Sequence, residues 1–389
     1  MLAKRIEKVS PSTTLAISAK AKALKNQGLN VISFTAGEPD FDTPSHIKEA
    51  AIKSIKEGFT KYTPTTGIMD LKLAIHEKFK IDNNLEYEPS QIVVSCGAKH
   101  SLYNIFQVIC QEADEVIIPS PYWISYLEMV KLSGAKPVIL ETSPENDYKV
   151  KISTLKKSVN KRTKAFILNS PSNPTGTVYS HNELKGLAEF FLEHDIFVIS
   201  DEIYERLIYD GLTHISIASL NKDIFSKTIV VNGPSKTYAM TGWRIGYLGA
   251  RGDIADAIGR LQDHSTSNPT SISQIAALSA IKGEQGCVSE MVSEFKKRRD
   301  VMMDMLEGIE GLRFFKPSGA FYIFCDISRF SLSSEDFANH LLQEALVACI
   351  PGNGFGFDTH IRLSFAISLE EIKEGINRIS RWVRQLQKK

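Results

Sequence analysis

A serine–lysine pair, Ser235-Lys236, follows the apolar run Lys227-Thr-Ile-Val-Val-Asn232 and a Gly233-Pro234 step. Arg244 comes eight residues later, in Thr241-Gly-Trp-Arg-Ile-Gly-Tyr247. An amine held at the end of a buried strand loses hydration. That disfavours its charged form, lowers its pKa and makes it a nucleophile for aldehydes. The Ser235 hydroxyl and the Arg244 guanidinium suit a phosphate, because the planar fork of arginine donors matches such oxygens. Gly233-Pro-Ser-Lys-Thr looks like half of a nucleotide-binding P-loop. That motif needs glycine directly before its lysine, and Ser235 stands there, which excludes it. On its own a Ser-Lys pair reads more readily as a surface lysine; the whole string 232–247 is what points to a site.

Other chemistry-bearing residues close apolar runs in the same way. Asp201, in Ser200-Asp-Glu-Ile-Tyr204, ends the run Ile196-Phe-Val-Ile-Ser-Asp201. It either caps the following turn or faces a ligand, since ligands of α/β sheets sit at the C-terminal ends of the strands. Ser95-Cys96-Gly97-Ala98-Lys99-His100 closes the run 91–96 and opens a helical pattern. A strand, a glycine and a helix start make an anion site, so the backbone N–H groups of Gly97, Ala98 and Lys99 are expected to cradle a phosphate. Cys96 beside them reads as a small apolar residue at a strand end. Asn169-Ser-Pro-Ser-Asn173-Pro-Thr-Gly176 follows another such run and has turn composition. Trp123, in Ser120-Pro-Tyr-Trp123, is either a core aromatic or the wall of a ring-binding site.

These residues need strands and helices to hold them. Seven short runs bounded by turn residues read as strands: 91–96, 114–119, 136–140, 164–169, 196–201, 227–232 and 246–250. Between them lie amphipathic stretches such as 101–111 and 181–194, the second with Ser180 as N-cap and Glu183 three residues on. Alternating β and α elements with near-continuous apolar strands define an α/β layer fold with a buried, mainly parallel sheet. From about residue 286 the pattern changes to a long helix. A smaller unit follows: a strand over 321–327, a helix over 333–345, a strand over 360–366 and a terminal helix from Leu369. In the strand 360–366, alternation sets Ile361 and Leu363 on one face and Arg362 on the other.

The string Ser-Lys-x-x-x-Met-Thr-Gly-Trp-Arg-Ile-Gly-Tyr resembles the cofactor-lysine segment of class I aminotransferases, the fold-type-I family of pyridoxal phosphate (PLP) enzymes. The resemblance covers essentially the whole chain and is greatest to the bacterial aspartate and aspartate/prephenate subgroup. It implies a seven-stranded sheet sandwiched by helices plus a smaller α+β domain, with 1–40 and 301–389 in the small domain and 41–300 in the large one. It implies that Lys236 carries PLP covalently and moves the α-proton of the substrate. Asp201 then pairs with the pyridine nitrogen, Asn173 and Tyr204 with the phenolic oxygen, and Ser235 and Arg244 with the phosphate; Trp123 stacks on the ring. Arg362 grips the substrate α-carboxylate, with Gly37, in Thr35-Ala-Gly-Glu-Pro-Asp40, and Asn173 beside it. Tyr62 reaches the phosphate of a neighbouring subunit, so a homodimer with shared active sites is expected. The stretch 262–269, where many aspartate aminotransferases carry an arginine for the distal carboxylate, has none. In the most similar subgroup a lysine matching Lys99 takes that role, helped by hydroxyls matching Ser12 and Thr14. The substrates implied are acidic amino acids and 2-oxo acids: aspartate, glutamate, oxaloacetate and 2-oxoglutarate, with prephenate as a further acceptor. Lys99 reads alternatively as a solvated lysine, although positive charge is disfavoured at a helix start. His100 stands where glutamine is common in the family.

Composition narrows the alternatives. Lys+Arg is 46 and Asp+Glu is 45, giving a formal charge of +1, so nothing calls for nucleic acid or an anionic membrane. No secretory segment and no transmembrane run is visible. Five cysteines without CxxC spacing fit the cytoplasm better than a disulfide framework or a zinc site, and no metal is expected. A nicotinamide dehydrogenase lacks its GxGxxG here, since Gly352-Asn-Gly-Phe-Gly356 has the wrong spacing. A PLP-binding regulator would need an N-terminal DNA-binding unit before the cofactor motifs begin. A PLP-dependent lyase, decarboxylase or racemase, or an aminotransferase for aromatic or neutral amino acids, shares the cofactor motifs and stays open.

Overall fold

The computed structural model describes residues 2–10 and 13–386. The first strand, β1 (Ile32–Ser33), belongs to a small sheet considered below. The next seven form the main sheet: β2 (Ile92–Ser95), β3 (Glu115–Ser120), β4 (Lys136–Glu141), β5 (Thr163–Asn169), β6 (Phe197–Asp201), β7 (Thr228–Asn232) and β8 (Gly246–Gly249). Their order is β2-β8-β7-β6-β5-β3-β4. β8 runs antiparallel to both of its neighbours and the remaining pairs are parallel.

Period-two alternation along the inner strands explains the layers. Ile167, Ile199 and Val231 pack on one face with Leu102, Ile105 and Phe106 of the helix Ala98–Ile109 and Ile254 and Ile258 of the helix Gly252–Asp263. Phe166, Leu168 and Val198 pack on the other face with Leu184, Leu187 and Phe191 of the helix His181–Glu193. With both faces covered, the strands read as continuous apolar runs. The edge strand β4 differs, with Leu140 as its one buried residue. The helix His181–Glu193 starts on the expected capping box: Glu183 Oε2 accepts the Ser180 N–H at 2.7 Å and Ser180 Oγ accepts the Glu183 N–H. The helix expected over 101–111 instead spans Ala98–Ile109. Gly97, at φ 93°, breaks the strand abruptly enough for helical turns to begin at once, and the extended Cys110 ends them.

A second, antiparallel sheet has the order β12 (Ile350–Pro351), β13 (His360–Ser364), β10 (Tyr322–Asp326), β9 (Arg313–Phe314). β11 (Val347–Ala348) pairs in parallel with β1, Ile32 opposite Val347, so early and late chain segments meet. The long helix Gly286–Glu307 and the terminal helix Leu369–Leu386 cover this unit. Phe295, Met302, Leu306, Ile376 and Ile379 share a core with Phe321, Ile323, Ile361 and Leu363. The chain is thus α/β, a mainly parallel seven-stranded sheet between helices, with a smaller α+β part. Among the described residues no helix is long and apolar enough to cross a membrane.

Candidate active site

Every main-sheet strand except β8 points the same way, so β5, β6 and β7 deliver their last residues, Asn169, Asp201 and Asn232, to one edge. There a cleft of about 390 Å³ opens. Its walls include Gly37, Ala98, Lys99, Trp123, Asn173, Asp201, Tyr204, Ser235, Lys236, Arg244 and Arg362, residues scattered over more than three hundred positions of chain.

Lys236 sits in the short helix Pro234–Thr237 directly after β7. Its Nζ donates to the Gly37 carbonyl at 2.5 Å. Loss of hydration, helped by the nearby Arg362 and Arg244 guanidinium groups, lowers its pKa to about 8, while Glu38 and Asp201 partly oppose this. The amine therefore has a sizeable neutral fraction near neutrality, as a nucleophile requires. Arg244 adopts the left-handed conformation (φ 56°), donates from Nη1 to the Thr241 carbonyl at 2.7 Å and from Nη2 toward the Cys96 carbonyl at 3.4 Å. A Cβ on Gly97 would lie 2.6 Å from Arg244 Nη2, so only glycine lets the guanidinium rest on this turn. A Cβ on Gly246, at the start of β8, would lie 2.1 Å from the Ala98 nitrogen. The bare backbone of β8 thus lets the N-terminus of the helix Ala98–Ile109 seat against the sheet. The Gly97 N–H, expected in the anion cradle, instead donates to the Ser95 carbonyl at 2.7 Å within the tight turn; those of Ala98 and Lys99 donate to no acceptor among the described residues, which leaves them for an anion. Ser235 is buried, its Oγ 3.4 Å from the Ile245 carbonyl.

Asp201 is 3% exposed. Burial raises its pKa to about 6, against the lowering effect of hydrogen bonds from Tyr126 and from the Ile203 N–H. The Tyr126 hydroxyl donates to Oδ2 at 2.6 Å and the Ile203 N–H to Oδ1 at 3.2 Å. Asn169 braces the neighbouring backbone: its Nδ2 donates to the Asp201 carbonyl at 3.0 Å, and its Oδ1 accepts the Asn173 N–H at 2.9 Å.

Arg362 lies in β13, opposite Phe324. It is buried, with Nη1 donating to Asn173 Oδ1 at 2.9 Å and Nη2 to the Thr35 carbonyl at 3.2 Å. Its guanidinium stands 4.2 Å from the Tyr322 ring centroid, and its Nε is buried without a partner. An unsatisfied buried donor on a cationic group calls for an acceptor. Tyr204 and Tyr322 share a hydroxyl contact of 2.9 Å. Lys99 Nζ is 4.9 Å from the Trp123 ring centroid, and burial, with Arg244 nearby, lowers its pKa. The Trp123 ring itself stands edge-on to Tyr126, 5.2 Å between centroids.

Some expected residues are not brought into the cleft. Tyr62 is 91% exposed and lies outside it. Ser12 falls outside the described residues; Thr14 lies in the helix Thr13–Asn26, with a side chain that is likewise outside them. His100 accepts the Cys96 N–H at Nδ1 (3.2 Å) and is absent from the cleft wall, so here it braces the turn. In the stretch 262–269, Gln262 is fully buried: it donates to the Thr65 and Val94 carbonyls and accepts from Ser95 and Asn104. Sequence reasoning missed Tyr126, Tyr322, Thr35 and Thr241 in the cleft wall. Tyr126 follows Trp123 by three residues, a helical spacing that could have flagged it. Tyr322 reaches Arg362 only through strand pairing, which no local pattern reveals.

A buried amine, a buried carboxylate, a helix N-terminus and an arginine gathered at the C-terminal edge of such a sheet define a class. Residues 30–379 match the family model for class I and II aminotransferases, and the chain belongs to that family; it is an aminotransferase. It is 51% identical to the aspartate aminotransferase of Bacillus sp. (strain YM-2) over 389 residues, covering 99% of each chain. It is 45% identical to the probable aspartate/prephenate aminotransferase of Aquifex aeolicus (strain VF5), with 99% of each chain covered. The solved aspartate aminotransferase from Thermus thermophilus with maleate superposes with a TM-score of 0.95 at 40% identity, covering 98% of this chain and 99% of that one.

Proposed function

We propose that the chain is a PLP-dependent aminotransferase for acidic substrates, passing the amino group of L-aspartate to 2-oxoglutarate. The observation that carries this reading is the facing set of Lys236, Asp201 and Arg362 around one cleft. The donor set fits PLP. Asp201 is a buried carboxylate with no ion-pair partner among the described residues, which suits a protonated ring nitrogen. The N–H groups of Ala98 and Lys99, with Ser235 and Arg244, suit a phosphate, and the Lys236 amine suits an aldehyde. Pyridoxal phosphate, when bound, supplies a sink for the electrons released at the substrate Cα.

The residues of the chain do the rest. Arg362, its Nε unmet, holds the α-carboxylate, and Asn173 and Gly37 fix the guanidinium and the amine that flank it. With the cofactor bound, the Lys236 amine would be the base that takes the proton from the substrate Cα and the acid that gives it back. Tyr204 and Asn173 serve the phenolic oxygen, and Trp123 walls the ring. Lys99, which lines the cleft, gives a distal carboxylate a cationic partner. A second acceptor, prephenate, follows from the same cation, since it too carries a second carboxylate; the Aquifex aeolicus relative is named for both activities. The exposed Tyr62 supports a homodimer in which each subunit completes the site of the other. Five free thiols suit a reducing compartment, the cytoplasm.

A half-reaction tests this reading. PLP-loaded protein mixed with L-aspartate alone should lose its visible aldehyde-form band and release oxaloacetate. Lys99→Ala should weaken the reaction with aspartate far more than with a monocarboxylic amino acid, by about tenfold or more for one lost charged contact. A band that aspartate leaves unchanged would refute the acidic-substrate reading, and equal loss on both substrates would remove Lys99 from it.

A further inference from the structure

One buried contact at the cleft is left over after every expected residue has its role. Tyr126 is the second residue of the helix Ser125–Leu132 and is 1% exposed. Its hydroxyl donates to Asp201 Oδ2 at 2.6 Å, and its ring stands edge-on to Trp123, at 86° and 5.2 Å. One side chain therefore touches both the carboxylate and the aromatic wall of the cleft. The Asp201 carboxylate has two hydrogen-bond donors among the described residues, Tyr126 and the Ile203 N–H, and no ion-pair contact among them. The backbone donor holds Oδ1 loosely, at 3.2 Å, whereas the phenol holds Oδ2 closely.

We infer that Tyr126 is a positioning residue that acts through Asp201: its hydroxyl keeps that carboxylate ionised and aimed at the ring nitrogen of the cofactor. The inference rests on the PLP reading above. Its physical ground is the cost of a buried charge, which falls when a neutral donor shares it. Burial pushes Asp201 upward, and the Tyr126 hydrogen bond is the largest opposing influence on a carboxyl that ends at about 6. The Tyr126 phenol is itself driven well above its ordinary value, first by burial and then by Asp201, so it stays protonated and remains a donor. Without that donor Asp201 would hold its proton to higher pH, and a protonated carboxyl is a poor partner for a pyridinium. The ring of Tyr126 has a separate task, backing Trp123, which the hydroxyl does not share.

The test separates the hydroxyl from the ring and the nitrogen from the rest of the cofactor. Tyr126→Phe keeps the ring and removes the donor. The full chain, freed of cofactor, is titrated with PLP and with its 1-deaza analogue, in which a carbon replaces the ring nitrogen. Wild type should bind PLP more tightly than the analogue. Tyr126→Phe should weaken PLP binding by about tenfold and leave the analogue within about twofold, the size expected for one hydrogen bond to a charged group. In an Asp201→Asn background, adding Tyr126→Phe should change PLP affinity little. Equal weakening for both ligands, or none for either, would overturn the inference and reduce Tyr126 to packing. A Tyr126→Phe effect that persists undiminished in Asp201→Asn would also overturn it, since the hydroxyl would not be acting through the carboxylate. A wild-type chain that takes up no PLP at Lys236 would overturn the PLP reading itself, a result distinct from all of these.

Discussion

At the scale of single residues, the site depends on moving proton affinities toward each other. Lys236 drops to about 8 and Asp201 rises to about 6, each displaced first by burial. For Lys236 the sign is direct. A lowered value means that the neutral amine accumulates as pH rises through about 8, where ordinary lysines, titrating near about 10.4, are still charged. Competitive acetylation of the cofactor-free protein, read by peptide mass spectrometry, should show Lys236 gaining reactivity with a midpoint about two pH units below that of exposed lysines. A midpoint shared with the surface lysines would mean that the pocket does not activate the amine. The residues that carry this chemistry were largely legible. Lys236, Asp201, Arg244 and Arg362 each sit beside a strand pattern that announces where they end up. Tyr322 was not, because only strand pairing sets its ring under Arg362; for Tyr126 the spacing from Trp123 was a signal, but its hydroxyl contact with Asp201 joins elements distant in sequence.

At the scale of elements, the strand runs and capping signals read from the sequence correspond closely to β2–β8, because a strand buried on both faces leaves a continuous apolar signature. The short strands β9, β11 and β12, two residues each, carry no such signature; they exist only through pairing with β10, β1 and β13. The contact of β8 with the helix Ala98–Ile109 is the most exacting joint. A Cβ at position 246 would meet backbone atoms of Gly97 and Ala98, which cannot rotate away as a side chain can. Gly246→Ala should therefore cost about 1–3 kcal/mol of stability through overpacking. It should also weaken binding of inorganic phosphate to the cofactor-free protein, because the helix start must shift. Thermal unfolding with and without phosphate measures both effects. Loss of stability with undiminished phosphate protection would separate this joint from the anion site.

At the scale of the whole molecule, the loop that follows Tyr62 is held by two buried glutamines. Gln262 donates to the Thr65 carbonyl, while Gln274 donates to Thr63 Oγ1 and accepts the Ile68 N–H. Tyr62 thus projects outward from a fixed base. If it serves a second subunit, mixing Lys236→Ala chains with Tyr62→Ala chains should restore activity. The mixed dimer would then contain one site with an intact lysine and an intact tyrosine from opposite chains. Activity no greater than the sum of the separate variants would place Tyr62 in service of its own subunit or of none. This level was the least legible in sequence: a tyrosine beside a lysine has no local pattern that tells a surface side chain from a shared one.

The reversed direction of β8 has a consequence for how the protein tolerates changes in length. β7 ends and β8 begins at the same edge, with Asn232 opposite Tyr247, so the segment 233–245 leaves the sheet and returns to it between adjacent strands. Both Lys236 and Arg244 lie within that closed span. The parallel strands, in contrast, are joined by long excursions across the faces, whose outer turns can grow or shrink without moving the strand ends. A single inserted or deleted residue between 236 and 244 would change the reach between the amine and the guanidinium, with no slack elsewhere to absorb it. The same insertion in the turn after the helix His181–Glu193 would fall on the opposite side of the sheet edge from the cleft. The span 233–245 therefore works as a fixed ruler, and its length is as much a part of the site as the residues it carries.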